Sequence, residues 1–246
     1  MKKLNRVTEA EVIAEFLKGE FYHREYDHDR GRYEALVQAP NLNDQVENEL
    51  RRVLLFRRRA TMWRELPSDT QWWEIELEDG DLDNLNVFPR AQWRSIARGN
   101  FRAMHVAELI RQRGKDRKPA DLSVKIHALR SLMSLEGPRS TILLIGVDET
   151  QQATLLEGNH RFVAALLLPR EIMLRRLRVV CGFSANMYRC CWYKTTISNL
   201  TRYLKNRIQH VWDRETDPEH LLEQSARSQA VEEYARTAGL PTVKSE

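Results

Sequence analysis

The residues best suited to chemistry stand together at one junction between two apolar runs, in the stretch LLEGNHRFVAALLL at residues 155–168. The polar junction consists of Glu157, Gly158, Asn159, His160 and Arg161. A strand that ends at a glycine and turns directly into a helix exposes backbone N–H groups that have no intrahelical partners and that attract anions. The pattern therefore predicts a strand-to-helix corner that can bind phosphate.

Each side chain at this corner has a candidate role. His160 can donate to an oxyanion or act as an acid or a base, and Arg161 carries the forked guanidinium that suits phosphate. Asn159 can cap the helix and offer its amide, while Gly158 lets the backbone approach a ligand. Glu157 is a candidate for contacting a ribose hydroxyl, a magnesium ion or a proton. The alternative is structural: Asn159 only caps the helix, and Arg161 pairs with Glu157 to brace the turn.

Two further carboxylates occur in QWWEIELE, whose alternation and aromatic content predict a strand. Glu74 and Glu76 lie two residues apart and therefore point to the same face. If that face looks toward the 157–161 corner, Glu74 could serve as a general base or hold Mg²⁺. Alternatively, the opposite face is buried and both carboxylates meet water, which is the interpretation we favour for Glu76.

Arginines near the corner and in a long helix add candidate cationic sites. Arg90 and Arg94, in FPRAQWRSIARG, lie one helical turn apart and could both reach a phosphate, or they could form a solvated face with Trp93 in the core. A polar stripe predicted within RRVLLFRRRATMWR could contact a nucleic acid backbone or could pair with acidic helices, which we favour. The members of this stripe are Arg51, Arg52, Arg58 and Arg59.

Composition limits the class of protein. The chain has 246 residues, 42% of them hydrophobic and 30% charged, as in soluble globular proteins, and it contains neither an 18-residue apolar stretch nor a signal peptide pattern. We therefore expect a cytoplasmic protein with no membrane partner. The net charge of +4, from 39 basic and 35 acidic residues, is weak support for nucleic acid binding.

The cysteines do not suggest a disulfide framework or a metal site. Cys181, Cys190 and Cys191 are odd in number, and two of them are adjacent, which is typical of reduced and partly buried thiols. No CxxC or HExxH spacing occurs.

The order of patterns predicts three parts. Residues 1–68 are predicted to be an N-terminal helical region, in which Thr8 caps the first helix, and residues 195–246 a C-terminal helical region that includes a helix capped at Asp217. Between them, residues 69–194 interleave strands such as STILLIGVD, ATLLEG and RRLRVVCGF with helices. The predicted class is α+β, with a mixed α/β core flanked by helical segments.

The middle of the chain resembles the ParB/sulfiredoxin-like superfamily, over about residues 72–182. The order of helix, strand ILLIGV, hairpin, strand ATLLEG and then GNHRFVAA is similar to that of its members. Gly158, Arg161 and Ala164 match the G-x-x-R-x-x-A pattern of the ParB nucleotide site. EGNHR also resembles the D-G-H-x-R turn of ParB-like free serine kinases, with Glu157 in place of Asp. Asn159 stands where sulfiredoxins have their cysteine, so sulfiredoxin activity is not expected.

This resemblance implies a nucleoside di- or triphosphate ligand with Mg²⁺. The expected activity is phosphoryl transfer to a small hydroxylated metabolite, or nucleotide hydrolysis. His160 and Arg161 would stabilise developing charge, and Glu157 or Glu74 would act as base or metal contact; the loop carrying Arg90 and Arg94 would form one wall.

Other functions stay open at this point. The C-terminal helices show no helix-turn-helix pattern, but a DNA-associated ParB-like nuclease or regulator is the main alternative. A non-catalytic domain whose helical flanks mediate assembly is a further one, with a homodimer as one option.

Overall fold

A computed structural model describes residues 1–89, 91–113, 121–212, 218 and 221–223. Arg90, the cap predicted at Asp217 and most of the predicted C-terminal helical region after residue 212 lie outside the described residues.

Within this part of the chain six strands form one mixed sheet in the order β1-β2-β6-β4-β5-β3. β4 runs parallel to β6 and β3 parallel to β5, while the other neighbours are antiparallel. The strands are β1 Lys2–Val7, β2 Gln71–Glu76, β3 Leu85–Asn86, β4 Ser140–Gly146, β5 Ala153–Glu157 and β6 Leu177–Phe183. Together with the helices on both faces, this sheet confirms the α+β class.

The helices begin and end close to the sequence signals. The Thr8 hydroxyl accepts a hydrogen bond from the backbone N–H of Glu11 at 3.2 Å and so caps the first helix, as predicted. The helices are α1 Glu9–Glu20, α2 Arg30–Gln38, α3 Gln45–Trp63, α4 Ala91–Ala97, α5 Ala103–Arg113, α6 Asp121–Ser134, α7 Asn159–Ala165, α8 Arg170–Arg176 and α9 Ile197–Trp212. No helix among the described residues is both long and apolar enough to cross a bilayer.

A separate hydrophobic core covers each face of the sheet. In β4, Ile142 and Leu144 belong to the core formed with α4 to α8, whereas Leu143 and Ile145 belong to the core formed with α1 to α3. Alternate residues of a strand point to opposite faces, and helices cover both faces. This is why the middle of the sheet reads as a continuous apolar run in the sequence.

The N-terminal segment is part of the sheet as well as helical, which the sequence did not indicate. Lys2–Val7 forms the edge strand β1, paired with β2, and in it only Val7 is buried. KKLNRV has no apolar alternation, so the helical prediction for this end of the chain missed the strand. Leu17 of α1 and Leu54 of α3 share a core with Leu143 of β4. The change of pattern near residue 68 therefore marks a passage from helix to strand and not a gap in the packing.

Candidate anion-binding site

The predicted strand-to-helix corner is present. β5 ends at Glu157, Gly158 adopts a left-handed conformation with φ of +85°, and α7 begins at Asn159. A Cβ atom at residue 158 would lie 2.6 Å from Cδ1 of Ile142. Both the backbone angle and the neighbouring strand therefore require glycine here.

The end of α1 lies directly over this corner at Gly19. A Cβ atom at this position would lie 2.6 Å from Oε1 of Glu157 and 3.3 Å from Nη2 of Arg161. Below the glycine, Arg161 donates to Glu157 at 3.0 Å. The brace that the structural alternative assigned to these two side chains is thus present, and the glycine provides the space that it occupies.

A cavity of about 370 Å³, which we call the anion cavity, opens beside the corner. Four helices, α1, α3, α4 and α6, together with the corner and the segment after α1, form its walls. The residues that line it are Gly19, Glu20, His23, Arg58, Arg59, Gln92, Trp93, Lys125, Leu129, Glu157, Gly158, Asn159, His160 and Arg161. All four polar side chains of the predicted corner therefore reach one cavity.

Two arginines of α3 form the cationic wall of this cavity, where they hold Glu20. Arg59 forks onto this carboxylate, with Nη2 to Oε1 at 2.7 Å and Nε to Oε2 at 3.0 Å, and Arg58 donates to the same group. Glu20 is only 4% exposed. Arg58 also pairs through Nε with Glu25 at 3.3 Å, so two carboxylates match the two arginines, and only Glu20 of these carboxylates lines the cavity.

Further cations approach from the other walls. Lys125 of α6 is exposed and has no ion-pair partner among the described residues. The side chain of His23 lies 3.9 Å from Glu20, yet partial burial lowers the pKa of this imidazole below its ordinary value. The cavity lining therefore contains four basic side chains and two carboxylates, which are Arg58, Arg59, Lys125 and Arg161 with Glu20 and Glu157.

His160 is held in place on the α4 side. Its Nε2 lies 3.0 Å from Nε2 of Gln92, and its ring centroid lies 5.2 Å from that of Trp93. Trp93 is buried in the core, as the sequence indicated. The imidazole edge is therefore fixed against a buried indole at the cavity wall.

Asn159 does not cap the helix, contrary to the prediction. The N-cap is Gly158 and has no side-chain bond, and Asn159 is the first residue of α7. Its Oδ1 accepts the backbone N–H of Phe88 at 2.7 Å. The amide therefore ties the corner to the chain that follows β3.

Two predicted site residues lie elsewhere. Glu74 accepts a hydrogen bond from Arg178 at 3.1 Å, and this arginine also donates to Glu11 at 2.7 Å. The expectation that Glu74 faces either the corner or water is therefore wrong, whereas Glu76 is exposed, as favoured. Arg94 lines a different cavity of about 540 Å³.

The predicted arginine stripe is divided between three environments. The side chain of Arg51 is buried and donates to Glu47, Asn48 and two backbone carbonyls, so it cannot reach a nucleic acid. Arg52 is exposed, while Arg58 and Arg59 face the cavity. The four side chains do not share one exposed surface, and each pairs with a carboxylate, which confirms the alternative favoured from the sequence.

Most of the other cavity residues had no signal in the sequence. They come from segments far apart in the chain, and only Gly19, a glycine inside a helical pattern, could have indicated a close approach. The residues that sequence reasoning missed are Gly19, Glu20, His23, Gln92, Lys125 and Leu129.

The site does not fit a resident metal ion. No group of three or more His, Cys, Asp or Glu side chains among the described residues is arranged to hold one. Glu20 and Glu157 are both engaged by arginines. Mg²⁺ commonly binds one or two carboxylates together with substrate phosphates, so here it would have to enter with its nucleotide.

The cysteines are unsuited to thiolate chemistry. Cys181, Cys190 and Cys191 are buried and free. Burial raises the pKa of Cys190 to about 12 and raises the pKa of the other two thiols as well. The expectation of reduced, buried thiols is consistent with these environments.

Comparison with protein-family models, with curated proteins and with solved structures gave no match. The resemblance to the ParB/sulfiredoxin-like superfamily therefore stays a prediction from the sequence.

Proposed function

We propose that the protein binds a nucleoside di- or triphosphate and places its phosphates in the cavity beside Gly158. The observation that supports this most is the excess of positive charge in a partly enclosed space, where Arg58, Arg59, Lys125 and Arg161 converge. Guanidinium groups bind phosphate through two parallel hydrogen bonds, and the interaction is stronger where water is partly excluded.

The carboxylates that pair with these arginines occupy positions that phosphate oxygens of such a ligand can take. Glu20 and Glu157 already place oxygen atoms against the guanidinium groups of Arg59 and Arg161. Phosphate oxygens would take over part of these bonds, since each guanidinium has five N–H donors. A phosphate that binds Arg161 also draws this side chain away from Glu157 and leaves the carboxylate able to accept a proton.

The reaction we propose is phosphoryl transfer to a small hydroxylated metabolite, or to water. The hydroxyl oxygen attacks the terminal phosphorus, the bond to the bridging oxygen breaks, and a nucleotide shortened by one phosphate leaves. The hydroxyl proton passes to Glu157 or His160. The arginines and Lys125 stabilise the charge on the phosphoryl oxygens, which is the main task of a protein in this chemistry. No step assigned to these residues depends on a metal ion.

Titration calorimetry with ATP, ADP, CTP and GTP, each with Mg²⁺, tests the binding. Lys125→Met removes an exposed cation and should leave the fold intact while weakening nucleotide binding by about tenfold or more. Arg161→Met should have at least the same effect. Arg52→Met is the matched control, since this arginine lies on the same helix as Arg59 but is exposed and does not line the cavity. Absence of binding for all four nucleotides, or equal affinities in the Lys125 and Arg52 variants, would overturn the proposal.

A further inference from the structure

A second cavity, which we call the aromatic pocket, shares the arginines of α3 with the first. It measures about 220 Å³ and is lined by Arg58, Arg59, Thr61, Met62, Phe88, Trp192 and Tyr203. Cavities for whole ligands usually measure about 300–1,000 Å³. The aromatic pocket is therefore of a size for one ring system and not for a complete nucleotide.

Three aromatic rings form its wall. The ring centroids of Phe88 and Trp192 lie 4.9 Å apart with an interplanar angle of 28°, and those of Trp192 and Tyr203 lie 5.1 Å apart at 82°. Phe88 is only 1% exposed. Phe88 thus supports Trp192 from behind, while Trp192 and Tyr203 stay partly exposed and are the rings against which a nucleobase can stack.

Trp192 also presents an unused hydrogen-bond donor. Its Nε1 atom is buried and has no hydrogen-bond partner among the described residues. A buried donor without a partner costs free energy, and native proteins rarely leave one unexplained. Trp192 borders both the aromatic pocket and the cavity of about 540 Å³ that Arg94 lines, and this N–H meets a ligand acceptor only when the indole shifts.

The aromatic pocket and the anion cavity are physically linked. Arg58 and Arg59 line both, and the planar guanidinium group can bind phosphate at its edge while stacking on a ring with its face. The amide of Asn159 joins the corner to the backbone of Phe88 at 2.7 Å. One ligand could therefore contact the cationic cavity and the aromatic wall together.

We propose that the aromatic pocket holds the nucleobase of the ligand, stacked against Trp192 and Tyr203. This assignment rests on the proposed function, in which the phosphates occupy the neighbouring cavity. Asn159 then acts as a positioning residue, because it sets the distance between the corner and Phe88.

The test compares three probes by calorimetry: a nucleoside triphosphate, inorganic tripolyphosphate and the free nucleoside. Trp192→Phe keeps one aromatic ring and removes the fused second ring with its N–H, so the variant should fold while offering a base less area for stacking. We expect it to weaken nucleotide binding by about five- to tenfold and to leave tripolyphosphate binding unchanged. Trp73→Phe is the matched control, since this tryptophan packs against the core on the opposite face of the sheet. Its affinities should equal those of the wild type.

The outcomes separate the two proposals. Equal affinity of the wild type for nucleotide and tripolyphosphate, or equal losses for both probes in the Trp192 variant, overturns the base assignment while phosphate binding stands. Nucleoside binding that depends on Trp192, without tripolyphosphate binding, supports the aromatic pocket and removes the phosphate cavity. Absence of binding for all three probes overturns both.

Discussion

Two groups of charged side chains lie between α1 and the sheet, one along Glu11 to Lys18 and one at the end of the helix. In the first group, Arg178 bonds both Glu11 and Glu74, while Glu15 accepts hydrogen bonds from Lys18 and Thr141. We call this group the closed cluster, and its members are Glu11, Glu15, Lys18, Glu74, Thr141 and Arg178. Beneath the end of the helix, Gly19 covers the pair of Glu157 and Arg161 at the edge of the anion cavity.

The two groups use the same residue types with opposite results. In the closed cluster carboxylates outnumber cations, and the charged ends bond to one another across the interface. At the cavity, cations outnumber carboxylates and face open space. An ion pair between helix and sheet is therefore not itself a sign of function, because both groups contain one. The distinguishing feature is unbalanced charge next to a volume that a ligand can enter.

The largest effect should follow from Gly158→Ala, which disrupts the corner that forms one wall of the anion cavity. The left-handed angle and the contact with Ile142 together should lower the free energy of unfolding by about 3 kcal/mol. Chemical denaturation measures this loss. Gly31→Ala in α2 is the matched control, because a Cβ atom there meets nothing within 4 Å. A Gly158 variant as stable as the Gly31 variant would show that the corner is not constrained as described.

Arg178→Met should have the next largest effect and should sharpen the comparison. It leaves Glu11 and Glu74 close together without their shared cation, so we expect a loss of about 2 kcal/mol in the free energy of unfolding, with no change in nucleotide affinity. Adding Glu74→Gln should restore part of the stability. If Arg178→Met instead abolished nucleotide binding in a fully stable protein, the closed cluster would belong to the functional site.

The smallest effect concerns Glu15 and appears only in acid. Burial alone would raise the pKa of Glu15, but the hydrogen bonds from Lys18 and Thr141 outweigh it, and the pKa lies below the ordinary value of 4.5. The ionised carboxylate thus contributes stability above its unfolded pKa, and this contribution is lost as the pH falls through the lower folded value. Denaturation between pH 3 and 7 should show a small loss of stability toward acid that Glu15→Gln lacks. Parallel curves for both proteins would contradict the role of Glu15.

The corner was predictable because its signals are local. Apolar runs on both sides of Gly158 specify a strand and a helix, and glycine specifies the turn between them. The remaining walls depend on contacts between distant parts of the chain: Glu20 and Arg58 are 38 residues apart, and Lys125 arrives on another helix. The periodicity of a single segment does not indicate which arginine of a run will face a given cavity.

Asn159 illustrates the same limit at one residue. A polar residue at the start of a helix is usually a cap, so the sequence favoured that role. Because Gly158 takes the cap position, the amide is displaced by one residue and reaches Phe88 instead. The same local sequence is compatible with a helix cap and with the hydrogen bond to Phe88. The path of the chain after β3 decides which of the two forms.

The positions at which α1 meets the sheet also limit how its length can vary. Glu11, Glu15 and Gly19 are spaced by four residues and meet β6, β4 and the end of β5, which are consecutive strands in the sheet. One inserted or deleted residue between them would rotate everything downstream by about 100° around the helix axis. Substitutions on the outer face would leave this register untouched. The helix can therefore vary in sequence over the course of evolution far more readily than it can gain or lose a residue.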